Sequence, residues 1–192
     1  MKIAHIADLH IGREIEGLPA VDRISTLRSI AAECAGMHAL LVAGDLFDSI
    51  SDDSVKAVLE IFTGLTEAGC RVFLVPGESE SALPAWSERL QAPGITVFTG
   101  NECSDPAVLE ADGERVLIYG ARSTDITTAA HRTGEGCHIG LFHFDIDTIA
   151  PTETELKPLF KSLPLDFYAL GGNHAVKLYK SGMRITAAYP GS

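Results

Sequence analysis

An α/β (α+β) fold is predicted, with helices covering a mixed sheet or two sheets. Apolar runs of strand length alternate with helical stripes through the first half of the chain. Hairpin signals replace them later, a pattern that suits either a mixed sheet or two sheets. The chemically distinctive residues stand just past predicted strand ends, where α/β sheets place their ligand sites.

The elements follow in order. Met1–Ala7 and Ala39–Ala43 are apolar runs of strand length. Between them Val21, Ile24, Leu27, Ile30, Ala31 and Cys34 recur at helical spacing. Ser51-Asp52-Asp53-Ser54 supplies N-cap candidates for a second helix, whose stripe is Val55, Val58, Leu59, Phe62 and Leu65. Arg71–Val75 reads as a strand ending at Pro76-Gly77, and Pro84 suits the first turn of a short helix through Leu90. Ile95–Phe98, Val108–Glu110 and Val116–Tyr119 read as strands, with Asp112-Gly113 turning between the last two. His138–Phe142 is a strand, Thr152–Ser162 a helix and Phe167–Leu170 a strand. Val176–Tyr179 and Arg184–Ala188 form a hairpin around Ser181-Gly182.

Composition narrows the function classes. The 192 residues suit one domain with a sizeable core. No apolar stretch approaches the ~20 residues that span a bilayer, and the first residues are too short an apolar run for a signal peptide. A cytoplasmic protein is expected, with no membrane partner. Cys34, Cys70, Cys103 and Cys137 form no C-x-x-C pair and read as buried free thiols. Asp and Glu number 26 against 15 Lys and Arg, a net charge of −11. A domain that holds nucleic acid alone presents a basic surface. The densest cationic group here is Lys177, Lys180 and Arg184, so DNA binding by this domain alone should be weak.

Asp8-Leu9-His10 and Gly44-Asp45-Leu46-Phe47-Asp48 each follow a predicted strand. A carboxylate and an imidazole two residues apart can reach one metal ion, and a carboxylate from the neighbouring strand end can bridge to a second. Phosphoester hydrolysis uses two divalent ions ~3.5–4 Å apart to clamp the attacking and leaving oxygens. Candidate ligands are Asp8, His10, Asp45, His143 and His174. A lone histidine at a strand end is usually a hydrogen-bonded structural residue, and Asp after Gly is often a turn. Five such residues, all immediately past predicted strands, favour a metal site.

At these residues the sequence resembles the calcineurin-like metallophosphoesterases, and more narrowly the SbcD-type DNA-repair exonucleases. The carriers are His5-Ile6-Ala7-Asp8-Leu9-His10-Ile11-Gly12-Arg13, Val42-Ala43-Gly44-Asp45-Leu46-Phe47-Asp48-Ser49, Val75-Pro76-Gly77, Tyr168-Ala169-Leu170-Gly171 and Tyr189-Pro190-Gly191-Ser192. The resemblance implies a two-sheet β-sandwich flanked by helices, of the metallophosphoesterase αββα type. It implies one domain over 1–192 that stops before the family's C-terminal capping region. A first metal would be held by Asp8, His10, Asp45 and His174; a second would share Asp45 and take His143. Manganese or a related divalent ion is implied, one ion expected and two left open. A DNA or other phosphoester substrate, an SbcC-like ATPase partner and a homodimer are implied too. Arg13 would touch phosphate, although it could equally pair with Glu14 or Glu16.

Two motifs depart from the family. The third, normally Gly-Asn-His-Asp or Glu, reads Gly77-Glu78-Ser79-Glu80. Glu78 replaces a metal-binding asparagine and remains a candidate ligand. Ser79 occupies the catalytic histidine's position and cannot protonate a leaving group as histidine does. The last, normally Gly-His-x-His, reads Gly171-Gly172-Asn173-His174, so Gly172 supplies no imidazole. Asn173, His131, His138, Asp145 and Asp147 are considered as replacements. The expectation is a phosphodiester-hydrolysing fold with an altered second metal site that impairs catalysis. The alternative is an inactive one-metal homologue that serves as a structural subunit or binds a phosphate ligand. Trp86, beside Leu83 and Leu90, reads as a core edge rather than a base-stacking platform. Asp52 and Asp53 read as helix-capping surface.

Overall fold

The computed structural model describes residues 1–14, 22–81, 86–99, 105–121, 134–145 and 165–192. The expected helix Thr152–Ser162, Pro84, Cys103, His131 and Asp147 lie outside the described residues.

The first sheet is parallel, in the order β1 (Ile3–Ile6), β2 (Ala39–Ala43), β3 (Arg71–Val75), β4 (Ile95–Val97). Its crossovers carry α1 (Arg23–Glu33) and α2 (Asp52–Glu67). Asp22 caps α1 by accepting from the Ser25 amide, and Ser51 and Ser54 close a reciprocal capping box on α2. Asp52 and Asp53 occupy the first turn of α2, where their charge suits the helix dipole. Two single-turn helices, α3 (Glu78–Ser81) and α4 (Trp86–Arg89), follow β3. The helix at Trp86 is expected; α3 is not, because Glu-Ser-Glu-Ser has no apolar periodicity.

The second sheet is mixed: β5 (Ala107–Ala111), β6 (Glu114–Ala121), β7 (Cys137–His143), β8 (Phe167–Gly171), β10 (Arg184–Tyr189), β9 (Lys177–Ser181). β6, β7, β8 and β10 run parallel, with antiparallel β5 and β9 at the two edges. Asp112 and Gly113 both adopt left-handed backbone in the β5–β6 turn, as a tight hairpin requires.

Three apolar layers hold this together. Leu27, Val58, Phe62, Leu65 and Trp86 pack the helices onto the first sheet around Leu40, Val42, Val72 and Leu74. Leu41, Phe73, Ile118, Leu141 and Ala169 meet between the sheets. Tyr119, Phe142, Tyr168, Leu170 and Tyr189 cover the far face of the second sheet. β2 is buried along its whole length, which explains its unbroken apolar run. Trp86 is therefore core, and Arg89 pairs with Asp52 at 2.5 Å. Cys34 and Cys70 are buried as expected; Cys137, at the start of β7, is exposed instead. None of the described helices is long and apolar enough to cross a membrane.

The sheets are also tied by polar contacts. Arg71 Nη1 donates to the Val108 carbonyl at 2.7 Å, and His5 of β1 hydrogen-bonds to the Leu170 backbone of β8. Burial pushes the His5 pKa down from 6.5 to about 4. The unfolded chain thus binds a proton more readily than the folded one below pH 6.5. The stability that neutral His5 contributes is complete above pH 6.5 and is lost as pH falls toward 4. Urea unfolding of the metal-free chain across that window should show this loss, and His5→Gln should flatten the slope relative to wild type.

Candidate metal centre

The parallel strands β1 and β2 end side by side, and the chain leaves each in a left-handed turn. Asp8, His10 and Asp45 have φ of 56°, 49° and 47°. Non-glycine residues rarely adopt this region, and when they do the strain concentrates at functional sites. Backbone bonds hold the turns together: Asp8 N–H to Gly44 O at 3.1 Å, His10 N–H to Asp45 O at 2.8 Å, and Ile11 N–H to Leu46 O at 2.8 Å. Gly44 permits a close approach, since a Cβ there would lie 2.3 Å from His143 Nδ1.

β7 and β8 bring the opposite wall. His143 Nδ1 donates to the Ala43 carbonyl at 2.8 Å, which leaves Nε2 as the free lone pair. That Nε2 lies 3.6 Å from Asp45 Oδ2. On the other side His10 Nδ1 hydrogen-bonds to Asp48 Oδ1 at 3.1 Å, and its Nε2 lies 3.9 Å from the same Asp45 oxygen. His10 Nε2 is buried with no hydrogen-bond partner. An orphaned imidazole nitrogen costs free energy unless something else satisfies it. Spacings of 3.6–3.9 Å are too long for hydrogen bonds, yet they suit two donor atoms each ~2.1 Å from a shared cation.

Two groups of side chains converge closely enough to hold an ion. Asp8, His10 and His174 form one, and Asp8, Asp45 and His143 the other; in each, one ligand atom per residue lies within 4.8 Å of the others. The structure thus gathers all five residues marked by their strand-end positions. The shared carboxylate in these groups is Asp8, whereas the sequence resemblance implies Asp45. Asp45 still faces both His10 and His143. Burial pushes the Asp8 carboxyl above its ordinary range, opposed by His143 and by the Gly172 amide.

Gly172 does more than the sequence suggests. Its N–H donates to both Asp8 oxygens, at 3.0 and 3.1 Å. Its φ is +95°, and a Cβ would lie 3.4 Å from His143 Nε2. A histidine restored here would carry a strained backbone. Asn173 does not replace the missing imidazole: its Nδ2 reaches Asp145 at 3.4 Å and its Oδ1 accepts from the Ala175 amide. His138 is buried against Tyr119, with Nδ1 2.9 Å from the phenol oxygen. Glu78 is exposed and stands outside both ligand groups. The Ser79 amide donates to Asp45 Oδ1 at 3.1 Å, so this position orients a ligand through its backbone.

Sequence reasoning misses Glu80. Only 1% exposed, it accepts from Phe47 N–H at 2.6 Å, Gly77 N–H at 2.8 Å and Asp45 N–H at 3.1 Å. Burial pushes its carboxyl upward in pKa, and the Phe47 and Gly77 amides pull the other way. The one available signal was the acid that closes the family's third motif.

Residues 1–134 match the family model of the calcineurin-like phosphoesterases. The chain belongs to that family. A UDP-2,3-diacylglucosamine hydrolase of Pseudomonas savastanoi pv. phaseolicola is 29% identical over 59% of the chain and 43% of its own length. A probable cyclic nucleotide phosphodiesterase of Coxiella burnetii is 32% identical over 42% of the chain and 32% of its own length. The chain therefore spans less than half the length of these curated relatives. Among solved structures, TT1561 of Thermus thermophilus shares the fold, with a TM-score of 0.58 and 14% identity over 98% of this chain and 88% of that one. As a phosphoester hydrolase fold with candidate ligands for divalent metal, the chain fits its family.

Glu80→Ala should leave three buried N–H groups without an acceptor. The expected cost is about 3 kcal/mol of stability, read as a lower urea midpoint, together with weaker divalent-metal binding as Asp45 loses its anchor.

Proposed function

We propose that this protein is a divalent-metal-dependent phosphodiesterase whose chemistry is slowed at leaving-group protonation. The observation that carries this reading is the pair of ligand groups sharing Asp8, one of which includes the buried, unpartnered Nε2 of His10. Divalent ions bound there would polarise the phosphoryl oxygens and lower the pKa of bound water. Asp48 and the Ala43 carbonyl hold His10 and His143 with Nε2 free, and Gly172 and Ser79 orient Asp8 and Asp45 through their amides. Such outer-shell bonds matter to metal affinity nearly as much as the ligands.

Position 79 offers a hydroxyl where a histidine would donate a proton. Loss of general acid help costs about 10²–10⁴-fold, so esters with acidic leaving groups should be turned over best. The two curated relatives are named for UDP-2,3-diacylglucosamine and for cyclic nucleotides. Together with the net charge of −11, this favours compact phosphodiesters over DNA held by the domain alone. Exonuclease action with manganese, beside an SbcC-like ATPase that supplies basic surface, is the finer reading supported by the Asp8–Arg13 and Gly44–Ser49 motifs. The exposure of Glu78 and the engagement of Asn173 favour the second reading, a metal-bound but inactive subunit.

Manganese-dependent hydrolysis of bis(p-nitrophenyl) phosphate decides between them, with Asp45→Asn as the blank. Activity at least tenfold above that blank supports the enzyme; bound manganese without turnover supports the subunit. Metal affinity should also depend on pH. A proton competes with the cation for Asp8, whose carboxyl titrates above the ordinary range. Calorimetric manganese titrations should weaken as pH falls toward that range. An affinity unchanged down to pH 4 would remove Asp8 from the ligand set.

A further inference from the structure

The candidate histidine ligands all use the same nitrogen for support. Nδ1 of His10 meets Asp48 at 3.1 Å, and Nδ1 of His143 meets the Ala43 carbonyl at 2.8 Å. Nδ1 of His174 meets the Ser192 hydroxyl oxygen at 2.9 Å. The hydrogen bond on one ring nitrogen decides which nitrogen is left for a metal, here Nε2.

The rings differ in how firmly the fold holds them. His10 and His143 are buried, at 7% and 9% exposure, so packing fixes them as well. His174 stands in the loop between β8 and β9 and is exposed, as are Ala175 and Val176 after it. Ordering an exposed side chain costs rotamer entropy. Among the described residues two contacts restrain this ring. It stacks on His10, with centroids 5.1 Å apart and planes 9° apart, and its Nδ1 bonds to Ser192. Stacking fixes the plane of the ring but not its sense. The terminal torsion of histidine is two-fold, so a half-turn about the Cβ–Cγ bond preserves the stack and carries Nε2 to another place. The Ser192 bond separates the two orientations, because after the half-turn a carbon faces the hydroxyl.

The chain after β10 is shaped to deliver that hydroxyl. Tyr189, the last residue of β10, is fully buried, and its own hydroxyl donates to the Phe144 carbonyl at 2.8 Å. Gly191 then adopts φ +80°, and a Cβ on it would lie 2.9 Å from Val176 Cγ2 and 3.4 Å from the His174 carbonyl oxygen. Glycine thus lets Pro190-Gly191-Ser192 lie against the β8–β9 loop. His174 and Ser192 also line a cavity of about 530 Å³ with His10 and Arg13. A hydrogen bond in such an open place adds little stability by itself, since water competes for both partners. Its effect is on orientation.

We propose that Ser192 is a positioning residue of the metal centre: its hydroxyl holds the His174 ring in the orientation that presents Nε2 to Asp8 and His10. The inference rests on the metal-ligand half of the proposed function and is independent of turnover.

The test is calorimetric manganese titration of Ser192→Val and Ser192→Thr, two side chains of similar shape of which only Thr keeps the hydroxyl. Ser192→Val should weaken one manganese site about tenfold, the order expected for a lost outer-shell bond. Ser192→Thr should bind like wild type, and the site of Asp8, Asp45 and His143 should be unaffected in both. On a His174→Ala background, Ser192→Val should cause no further loss, because the two changes remove the same interaction. Without metal, all these Ser192 variants should melt with wild type. Equal affinity of the Val variant and wild type overturns the proposal. So does an equal loss in Val and Thr, since the hydroxyl would then not be the agent. A loss undiminished on the His174→Ala background, or a lowered metal-free melting point for Val, makes Ser192 a structural residue and overturns it too. Wild-type chain that binds no manganese sinks the metal reading and this inference together. Tight binding by wild type and Val alike sinks this inference alone.

Discussion

The metal centre depends on one carboxylate that cannot itself reach an ion. Glu80 gathers the amides of Asp45, Phe47 and Gly77, which belong to the turns leaving β2 and β3. Those turns would otherwise bury three N–H groups without acceptors. By satisfying them, Glu80 fixes the left-handed backbone at Asp45 and sets the direction of its side chain. It also bends the chain after β3 into the single turn of α3, which brings the Ser79 amide to Asp45. His10 and His143 then face one carboxylate oxygen. Without this hub the strand ends could remain parallel while their functional side chains lost a common focus.

Backbone strain is the second organising element. Four described non-glycine residues have positive φ: Asp8, His10, Asp45 and Asp112. Asp112 belongs to a hairpin turn where such backbone is routine. The other three are candidate ligands. Asp8 and His10 stand two residues apart, so extended backbone alone would already give them a common face. The left-handed turns carry these residues and Asp45 beyond the last residues of β1 and β2, where they converge. The surrounding sandwich, buried through β2 and cross-tied by Leu41, Phe73, Ile118 and Leu141, bears the cost of holding them.

Much of the fold was legible because burial writes itself into composition. β2 and β3 coincide with their apolar runs, and the stripe of α2 is the face that packs against the first sheet. The five strand-end residues were legible as a set because Asp and His are conspicuous after apolar runs. What escaped is whatever depends on backbone atoms. Gly172 looked like a deleted ligand, yet its amide contributes two hydrogen bonds to Asp8. Glu80 looked like one acid among 26, since nothing in its neighbours announces three buried donors. α3 has no apolar period to reveal it. Cys137 was read as buried because its strand is apolar, but it sits at the exposed first position of β7. Glu78, credited with a ligand's chemistry by its place in a motif, is turned to solvent.

The order of the ligands along the chain has a kinetic consequence. Asp8 follows the first strand and His174 the eighth, and the two converge in one group. No local fragment contains the complete group, so a tight cation site can exist only after the far sheet has docked on the near one. Loop closure across nearly the whole chain must precede it. Capture of an ion there would be a late event in folding, a latch on an assembled sandwich rather than a seed for it. Ion uptake would then report that the last parts of the architecture are in place.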